Sequence, residues 1–355
     1  MIKSLKKFVT DSMAIDMGTA NTIIAVKGRD IVLDEPSEVA VNELTGEIVA
    51  YGLDAHDMRG REGRDVVVVA PLSAGVVADF ERTKKMLNHF VKKAKSGGSN
   101  ISLEAVMSML GDVTHVEQRA LLNAAEDAHI GKVYIMEEGL AAAFGAGVVP
   151  DDKRASAIVD LGAGTTNIAI VAKGNVVHSR SERIGHSEIN TALANHLRRN
   201  RGLQVGEETT ETLKIEFASA YLPDDIAKTT MVRGRDVQTG SPAAVEITTG
   251  EVYPVIEGIV RRVAQVIADT LTELRPEVAA DIYDRGIILT GGGALLSGVD
   301  QYIRNFVNLP VTVSDEPRYA TVRGLLKMFD EPELLERVSR NEFHVLQNSE
   351  IPFEA

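Results

Sequence analysis

Short apolar runs separated by polar turns dominate the first 150 residues, and their spacing predicts both strands and helices. Apolar runs bounded by Gly, Asp or Ser predict strands at residues 13–16, 23–26, 31–33, 38–41, 67–70 and 132–136. Apolar residues three and four apart predict helices at residues 79–94, 116–128 and 138–147. Thr114 and Glu117 have capping-box spacing at the start of the second helix. The mixture predicts an α/β chain.

The second half of the chain repeats the pattern of the first. An apolar run ends on Asp160 and is followed by Gly162, just as an earlier run ends on Asp16 and is followed by Gly18. In both halves a second apolar run and a glycine turn come next. Asp160 follows Asp16 by 144 residues, which indicates a duplicated domain rather than a solenoid of short repeats.

A further transition from strand to glycine, at residues 287–293, ends on three glycines and leads into a helix predicted at residues 294–305. Glycine loops let backbone N–H groups approach phosphate oxygens. A carboxylate at a strand end repels phosphate, but it can hold a hydrated Mg²⁺ ion that bridges the phosphates. A single Asp-x-Gly turn is more often a plain hairpin. Two copies in corresponding strand contexts, with the glycine turn, predict a nucleotide site.

Composition narrows the class of protein. The chain has 355 residues, 44% of them apolar and 25% charged, which suits two or more compact units. It has no cysteine, so disulfides and thiolate metal sites are excluded and a reducing compartment is expected. The net charge of -13 argues against a general nucleic-acid partner. No apolar run is long enough for a spanning helix and no signal peptide is expected, so the predicted location is cytoplasmic.

Residues 1–9, MIKSLKKFV, have the spacing of an amphipathic helix with the lysines off the apolar face. One interpretation is a frayed terminus, because short isolated helices are marginal in water. The other is a membrane-surface anchor, with the apolar face in lipid and the lysines on anionic headgroups. One such helix binds weakly, whereas many copies on a polymer would bind together well.

Several segments together resemble one superfamily, that of actin, the heat-shock chaperones and the sugar kinases, and within it the MreB family of bacterial actins. The resemblance extends over about residues 1–330. The segments are IDMGTANTIIAVKGRDIVLDEPS (15–37), VADFERTKKMLNHF (77–90), VEQRAL (116–121), MEEGLAAAFGAG (136–147), VDLGAGTTN (159–167), ETLKIE (211–216), VRGRD (232–236) and ILTGGGALL (288–296).

The resemblance implies an actin-like α/β fold, a duplicated ribonuclease H-like arrangement of two lobes and four subdomains with ATP or ADP in a cleft. The expected division is an amphipathic segment at residues 1–12, lobe I at 13–150, lobe II at 151–330 and a tail at 331–355. The smaller subdomains are expected as insertions, at about residues 34–75 in lobe I and 186–252 in lobe II.

The resemblance also implies site residues. Asp16 and Asp160 would position Mg²⁺, mostly through water. The nucleotide-binding set is Gly18, Thr19, Ala20 and Asn21 in a first phosphate loop, Gly162, Ala163, Gly164, Thr165 and Thr166 in a second, Glu211 and Lys214 at the ribose and adenine, and Gly291, Gly292 and Gly293 at the adenine or α-phosphate. Glu211 and Lys214 are three residues apart on a predicted helix, and therefore share a face.

Hydrolysis needs a group that orients water for in-line attack on the γ-phosphate. Glu138 is the candidate, because it lies 22 residues before Asp160, which is the family's spacing. Thr165 would hold the same water, and Asp160 completes the catalytic set. Alone, the pair Glu137 and Glu138 would be a solvated helix start, where acidic residues are favoured by the helix dipole.

The chain departs from the family pattern at three places. Gly139 stands where a proline usually follows the Glu pair, and Leu110 replaces a second proline, which places Asp112 close to the expected cleft. His186 and Ser187 replace a Gly-Asp pair expected near the phosphates. A histidine there is more often structural than catalytic. The departures favour a paralogue or a reduced ATPase.

Three functions are compatible with these residues. The first is a filament-forming ATPase that polymerises on the inner face of the cytoplasmic membrane, in paired protofilaments, and works with cell-wall or shape-determining membrane proteins. The second is a filament that positions an organelle or another cargo, as in the MamK relatives. The third is a non-polymerising ATPase of the superfamily. In the tail, EPELLERV (331–338) predicts a helix docked on the core, and the last residues a free terminus.

Overall fold

The computed structural model describes residues 10–95, 102–221 and 227–339, which form two compact units. The first unit combines the described residues up to Pro150 with those from Tyr319 onward, and the second is Asp151–Arg318. The predicted amphipathic segment at residues 1–9 and the predicted free terminus lie outside the described residues.

The first unit is built on a five-stranded sheet in the order β10-β9-β1-β2-β3. β1 is antiparallel to β2 and parallel to β9, which is parallel to β10. A separate three-stranded sheet has the order β5-β4-β6. The elements are β1 (Thr10–Met17), β2 (Asn21–Val26), β3 (Asp30–Pro36), β4 (Val39–Asn42), β5 (Ile48–Tyr51), α1 (Gly52–His56), β6 (Val66–Val69), β7 (Leu72–Ser73), β8 (Val76–Val77), α2 (Phe80–Ala94), β9 (Ser102–Met109), α3 (His115–Asp127), β10 (Lys132–Glu137) and α4 (Glu138–Gly145).

Apolar periodicity explains these elements. In α2 the spaced residues Met86, Leu87 and Phe90 are fully buried in the core with the sheet. The predicted capping box is confirmed, since Glu117 N–H donates to Thr114 Oγ1 and Thr114 N–H donates to Glu117 Oε2 at 2.7 Å. Strand β9 is not among the predicted strands, although its buried residues are largely apolar and its partner strands lie on both sides.

The second unit repeats this architecture with a sheet in the order β13-β12-β11-β17-β18. β11 is antiparallel to β12 and parallel to β17, so the predicted duplication is confirmed at the level of strand order. The elements are β11 (Ser156–Leu161), β12 (Thr166–Ala172), β13 (Asn175–Glu182), α5 (Ser187–Arg201), β14 (Leu203–Gln204), α6 (Glu207–Phe217), β15 (Thr229–Asp236), β16 (Pro242–Thr248), α7 (Thr249–Thr272), α8 (Pro276–Arg285), β17 (Ile287–Thr290), α9 (Val299–Val307) and β18 (Val311–Val313).

The helix predicted at residues 294–305 is wrong at its start. A short 3₁₀ turn, Gly292–Leu295, follows β17 instead, and α9 begins only at Val299. Gly298 precedes α9 with φ +73°, a left-handed conformation that breaks a continuous helix and suits glycine.

The chain then returns to the first unit through α10 (Ala320–Lys327) and α11 (Pro332–Ser339). The sequence placed residues 319–330 in lobe II, whereas the structure packs them on the first unit. The reason is close backbone approach between α10 and α4, because a Cβ atom on Gly145 would overlap the carbonyl oxygen of Ala320. The predicted docking of the tail helix is confirmed, since Leu334 and Leu335 of α11 are buried.

Candidate functional site

The first carboxylate of the repeat, Asp16, lies near the end of β1 beside β9. Its Oδ1 accepts a 2.7 Å hydrogen bond from the hydroxyl of Ser108. Burial raises the pKa of Asp16 to about 6, against the opposing effect of the Ser108 hydrogen bond. The ionised carboxylate is therefore incompletely compensated by its surroundings, and a nearby cation would stabilise it.

Ser37 stabilises the first glycine loop through two hydrogen bonds. Its hydroxyl donates to the carbonyl oxygen of Gly18 at 2.8 Å, and its N–H donates to the carbonyl oxygen of Ala20 at 2.8 Å. A Cβ atom on Gly18 would lie 2.8 Å from the carbonyl oxygen of Asn21, so the loop is too tight for a side chain there. Two of the loop's carbonyl groups are therefore satisfied inside the unit. Sequence reasoning did not single out Ser37, and its position directly after Pro36 was the available signal.

Two side chains of this loop already have partners. Thr19 Oγ1 accepts a 2.8 Å hydrogen bond from the N–H of Gly75, which leaves the hydroxyl proton of Thr19 for another acceptor. Asn21 Nδ2 donates to Asp34 at 3.1 Å. The structure thus uses the Asn21 amide to connect β2 with β3, and a phosphate contact would have to use its second N–H.

The second glycine loop is closed in a similar way. Gly162 N–H donates to the carbonyl oxygen of Thr165 at 2.9 Å, and a Cβ atom on Gly162 would lie 3.0 Å from that oxygen. The start of α5 fastens the loop, since His186 N–H donates to the carbonyl oxygen of Gly162 and Ser187 N–H to that of Ala163. Ser187 Oγ adds a hydrogen bond to the Ala163 carbonyl at 2.5 Å. The departure at these two positions therefore leaves the loop anchored.

The two threonines of the second loop differ in what they can offer a ligand. Thr166 Oγ1 donates to the carbonyl oxygen of Ile184 at 2.7 Å, so its only hydroxyl proton is used within the unit. Thr165 Oγ1 accepts from Asn167 Nδ2 at 3.3 Å and keeps its proton. Of the two side chains, that of Thr165 remains able to donate to a water or a phosphate.

The glycines that follow β17 lie beside Asp160. Gly291 has φ +80°, and a Cβ atom on it would overlap Asp160 Oδ1 and the carbonyl oxygen of Leu161. A Cβ atom on Gly293 would lie 2.8 Å from the same Leu161 oxygen. Asp160 is 4% exposed. Glycine is required here because the ends of β11 and β17 lie so close together that a Cβ atom would overlap the Asp160 carboxylate and backbone atoms of Leu161.

Glu211 and Lys214 lie on one face of α6, as predicted. Lys214 Nζ donates to Glu211 Oε2 at 2.7 Å, and Asn190 Nδ2 donates to the same oxygen at 2.6 Å. Burial would raise the pKa of Glu211, but the hydrogen bonds from Lys214 and Asn190 outweigh it and lower the pKa. Lys214 is 7% exposed and also lies 3.1 Å from Nδ1 of His186. Asn190 and His186 are contacts that sequence reasoning did not predict.

Glu138 is the first residue of α4 and is partly buried. The carboxylate of its neighbour Glu137 lies beside Gly111, since a Cβ atom on Gly111 would lie 2.6 Å from Glu137 Oε1. Leu110, which replaces the family's proline, is buried and packs against Gly75, at the turn that binds Thr19.

The donors and carboxylates of each unit fit a nucleotide with Mg²⁺. Each unit presents a tight glycine loop whose carbonyls are bound internally, next to a buried or partly buried aspartate at a strand end. Backbone N–H groups in such loops suit phosphate oxygens, and carboxylates suit Mg²⁺ and its water ligands. Within the described parts of the chain, no helix is long and apolar enough to cross a membrane.

Comparisons with known proteins identify the family of the chain. The sequence model of the family described as MreB/Mbl protein matches residues 10–337. The cell shape-determining protein MreB of Escherichia coli (strain K12) is 37% identical over 338 residues, covering 93% of this chain and 97% of the relative. The cell shape-determining protein Mbl of Bacillus subtilis (strain 168) is 37% identical over 323 residues, covering 91% and 97%.

Solved structures give the same result. The crystal structure of MreB5 of Spiroplasma citri bound to ADP matches with a TM-score of 0.85 and 29% identity over 93% of this chain and 98% of that one. The MamK double helical filament matches with a TM-score of 0.75 and 22% identity over 90% and 99%, which shows a shared fold alone. The predicted actin-like α/β fold is confirmed, and the chain belongs to the MreB/Mbl family.

Proposed function

We propose that this protein is a filament-forming ATPase that binds ATP with Mg²⁺, hydrolyses it slowly to ADP and phosphate, and couples hydrolysis to polymerisation. The observation that carries the proposal is the duplicated loop: each unit holds a glycine loop closed by internal hydrogen bonds, next to a strand-end aspartate. Loops fixed before the ligand arrives lose little entropy on binding. Relatives in solved structures were crystallised with ADP and with AMPPNP, which supports adenine nucleotides as ligands.

Each side chain has a defined part in this proposal. Asp16 and Asp160 would hold the waters around Mg²⁺, and the ion would supply the charge that offsets the phosphates. The backbone N–H groups of the loops at Gly18–Ala20 and Ala163–Gly164 bind phosphate oxygens, while that of Gly162 stays on the carbonyl oxygen of Thr165. Thr19 and Thr165 keep a hydroxyl proton to donate. Glu138 accepts a proton from the attacking water and orients it, and Thr165 holds the same water.

The proposed setting is the inner face of the cytoplasmic membrane. The named relatives are cell shape-determining proteins, which supports organisation of cell-wall synthesis ahead of the positioning of another cargo. The proposed partners are further copies of the chain in paired protofilaments, membrane lipid through residues 1–9, and shape-determining membrane proteins. The amphipathic spacing of residues 1–9 supports the lipid contact.

Two measurements test the proposal. A fluorescent ADP analogue is titrated with purified full-length protein, with and without Mg²⁺, and displaced by ATP; saturable binding that Mg²⁺ strengthens is expected. Protein that gives no saturable signal up to millimolar nucleotide would overturn the nucleotide assignment.

Sedimentation tests assembly and membrane contact separately. Protein with ATP is expected to pellet, while protein without nucleotide stays in solution. Liposomes containing anionic phospholipid are expected to carry the full chain into the pellet at low salt, and to carry a variant lacking residues 1–9 much less. Equal pelleting of both proteins with liposomes would remove the membrane anchor from the proposal and leave the ATPase intact.

A further inference from the structure

His186 joins the start of α5 to both α6 and the glycine turn after β17. Its Nδ1 lies 3.1 Å from Lys214 Nζ. On its other edge, Nε2 lies 3.5 Å from the position of a Cβ atom on Gly292, and Cδ2 lies 3.3 Å from that on Gly293. The imidazole therefore lies between a buried ammonium group and the glycine turn, with little space between the ring and the turn.

The contact with Lys214 determines which nitrogen of the ring carries the proton. An ammonium group donates and cannot accept, so Nδ1 of His186 must be the acceptor. Burial, followed by the charge of Lys214, lowers the pKa of His186 to about 4, so the ring is neutral at pH 7. In a neutral ring whose Nδ1 accepts, the proton is on Nε2. The edge that lies along Gly292 and Gly293 is thus a hydrogen-bond donor.

The same ring completes a chain of polar contacts. Asn190 donates to Glu211, Lys214 donates to the same carboxylate oxygen, and Lys214 donates to His186. Lys214 is only 7% exposed, so water can supply few hydrogen bonds to its ammonium group. Each contact that this group makes within the unit therefore helps to stabilise the buried charge. Replacing His186 by the family's glycine would remove one of these contacts and free the side chain of Lys214 to turn away.

We propose that His186 is an additional nucleotide-binding residue of this chain: its Nε2–H donates to an acceptor oxygen in the sugar–phosphate part of the nucleotide, and its Nδ1 holds Lys214 in place. This inference rests on the proposed function, since it assumes that the nucleotide lies against Lys214 and the glycine turn. His186 as a whole residue keeps some exposure to solvent, and its backbone N–H donates to the carbonyl oxygen of Gly162 in the second loop. Both the donor and its support are therefore present before the nucleotide binds.

Binding constants for MgADP test the proposal with four proteins. His186→Gly is expected to bind about three- to tenfold more weakly than the parent chain, the effect of losing one neutral hydrogen bond. His186→Gln keeps an acceptor for Lys214 and a donor for the nucleotide, and it is expected to stay within threefold of the parent. His129→Gly is the matched control, because His129 is exposed with φ +60° and suits glycine.

The outcomes separate the inference from the function on which it rests. A parent chain that fails to bind MgADP overturns the nucleotide assignment itself. A parent chain that binds, with His186→Gly unchanged or tighter at unaltered folding by circular dichroism, overturns only the role of His186. Loss of affinity in His186→Gly together with recovery in His186→Gln supports a role for the side chain. Glutamine restores volume as well as the donor, so the imidazole ¹⁵N resonances separate hydrogen bonding from space filling.

Two further readouts identify the atoms. The ¹⁵N resonances of the imidazole are expected to report the Nε2–H tautomer in the nucleotide-free protein and a shift of the Nε2–H signal on addition of MgADP. A different tautomer, or no shift at saturation, contradicts the proposed contact. If the penalty of His186→Gly vanishes with 2′-deoxy-ADP or 3′-deoxy-ADP, the acceptor is that hydroxyl; if it persists with both, the acceptor is a phosphate oxygen.

Discussion

Ser108 on β9 donates a 2.7 Å hydrogen bond to the carboxylate of Asp16 on the neighbouring parallel strand. Even with this bond, burial raises the pKa of Asp16 to about 6. At neutral pH the carboxylate is therefore ionised at a cost to the nucleotide-free fold. That cost supports the proposed role of Asp16 at a cation over a role in stability.

Asp16→Asn is expected to have opposite effects on stability and on binding. The folded state favours the protonated carboxyl, so the cost of ionisation is absent below the unfolded pKa of 3.8, grows as pH rises and is complete above about 6. The amide removes this cost, and Ser108 can still donate to its oxygen. At pH 7.5 the nucleotide-free variant should gain about 1–3 kcal/mol in the free energy of unfolding, measured with urea, and less at pH 5.

The same variant should bind MgATP at least about tenfold more weakly, because a neutral amide is a poor partner for Mg²⁺ and its waters. Asp65→Asn is the control, since this exposed carboxylate should change neither quantity measurably. A nucleotide-free Asp16→Asn protein that is less stable than the parent at pH 7.5 would contradict the argument.

Local sequence patterns predict the duplicated loops, but they do not predict the side chains that support those loops. Asp16 and Asp160 could be found because the same short pattern occurs twice in the chain. Ser37 lies 19 residues from the Gly18 carbonyl that it binds, and Lys214 lies 28 residues from His186. Such contacts depend on how the elements pack, and no periodicity within one segment reports them.

The return of the chain to the first unit is another feature that local sequence patterns do not predict. The small-residue helix at residues 138–147 predicts close packing from its composition, but composition does not name the partner. The partner is α10, which begins 175 residues after Gly145, and the fit is decided by Gly145 and Gly324. Boundaries set by conformation, such as the left-handed Gly298, are equally hard to place from apolar spacing alone.

Gly145→Ala is expected to destabilise the protein by about 2–3 kcal/mol, because the added Cβ would overlap the backbone of Ala320 rather than a flexible side chain. Gly324→Ala, which meets the carbonyl of Ala141 across the same contact, should behave alike. Thermal unfolding followed by circular dichroism measures both.

Gly258→Ala is the matched control for these two variants. Gly258 lies in the middle of α7, is exposed, and has open space where a Cβ would go. Alanine there should stabilise by about 0.5–1 kcal/mol, since it favours helix and restricts the unfolded chain. If all three variants shift the unfolding midpoint in the same direction, close packing of α4 on α10 does not explain the need for glycine.

Glu251, in the first turn of α7, makes the stability of the second unit depend on pH in the acidic range. It accepts from Arg201 Nε at 2.8 Å and lies 2.9 Å from His196 Nε2. The Arg201 hydrogen bond, opposed by burial, lowers the pKa of Glu251 to about 2. The stabilisation is therefore complete above the unfolded pKa of 4.5 and is lost as pH falls through the window from 4.5 to 2.

Glu251→Gln should accordingly lower the free energy of unfolding by about 1–2 kcal/mol at pH 7, a value that allows for screening of the half-exposed Arg201. At pH 3.5 the difference between the two proteins should be smaller. Urea unfolding at both pH values measures it. A difference that is equal or larger at pH 3.5 would show that the amide acts through packing and not through charge.

Glu138→Gln should leave the affinity for MgATP within about threefold and slow phosphate release at least about a hundredfold, because a general base contributes that much to the chemical step. The amide keeps the size of the side chain and one acceptor oxygen, but it cannot take the proton of the attacking water. Phosphate release is measured in single-turnover mixtures under polymerising conditions. Glu137→Gln is the control, since Glu137 packs toward Gly111 and should leave both quantities near those of the parent. Loss of ATP binding in Glu138→Gln, or equal slowing in both variants, would mean that Glu138 does not orient the water.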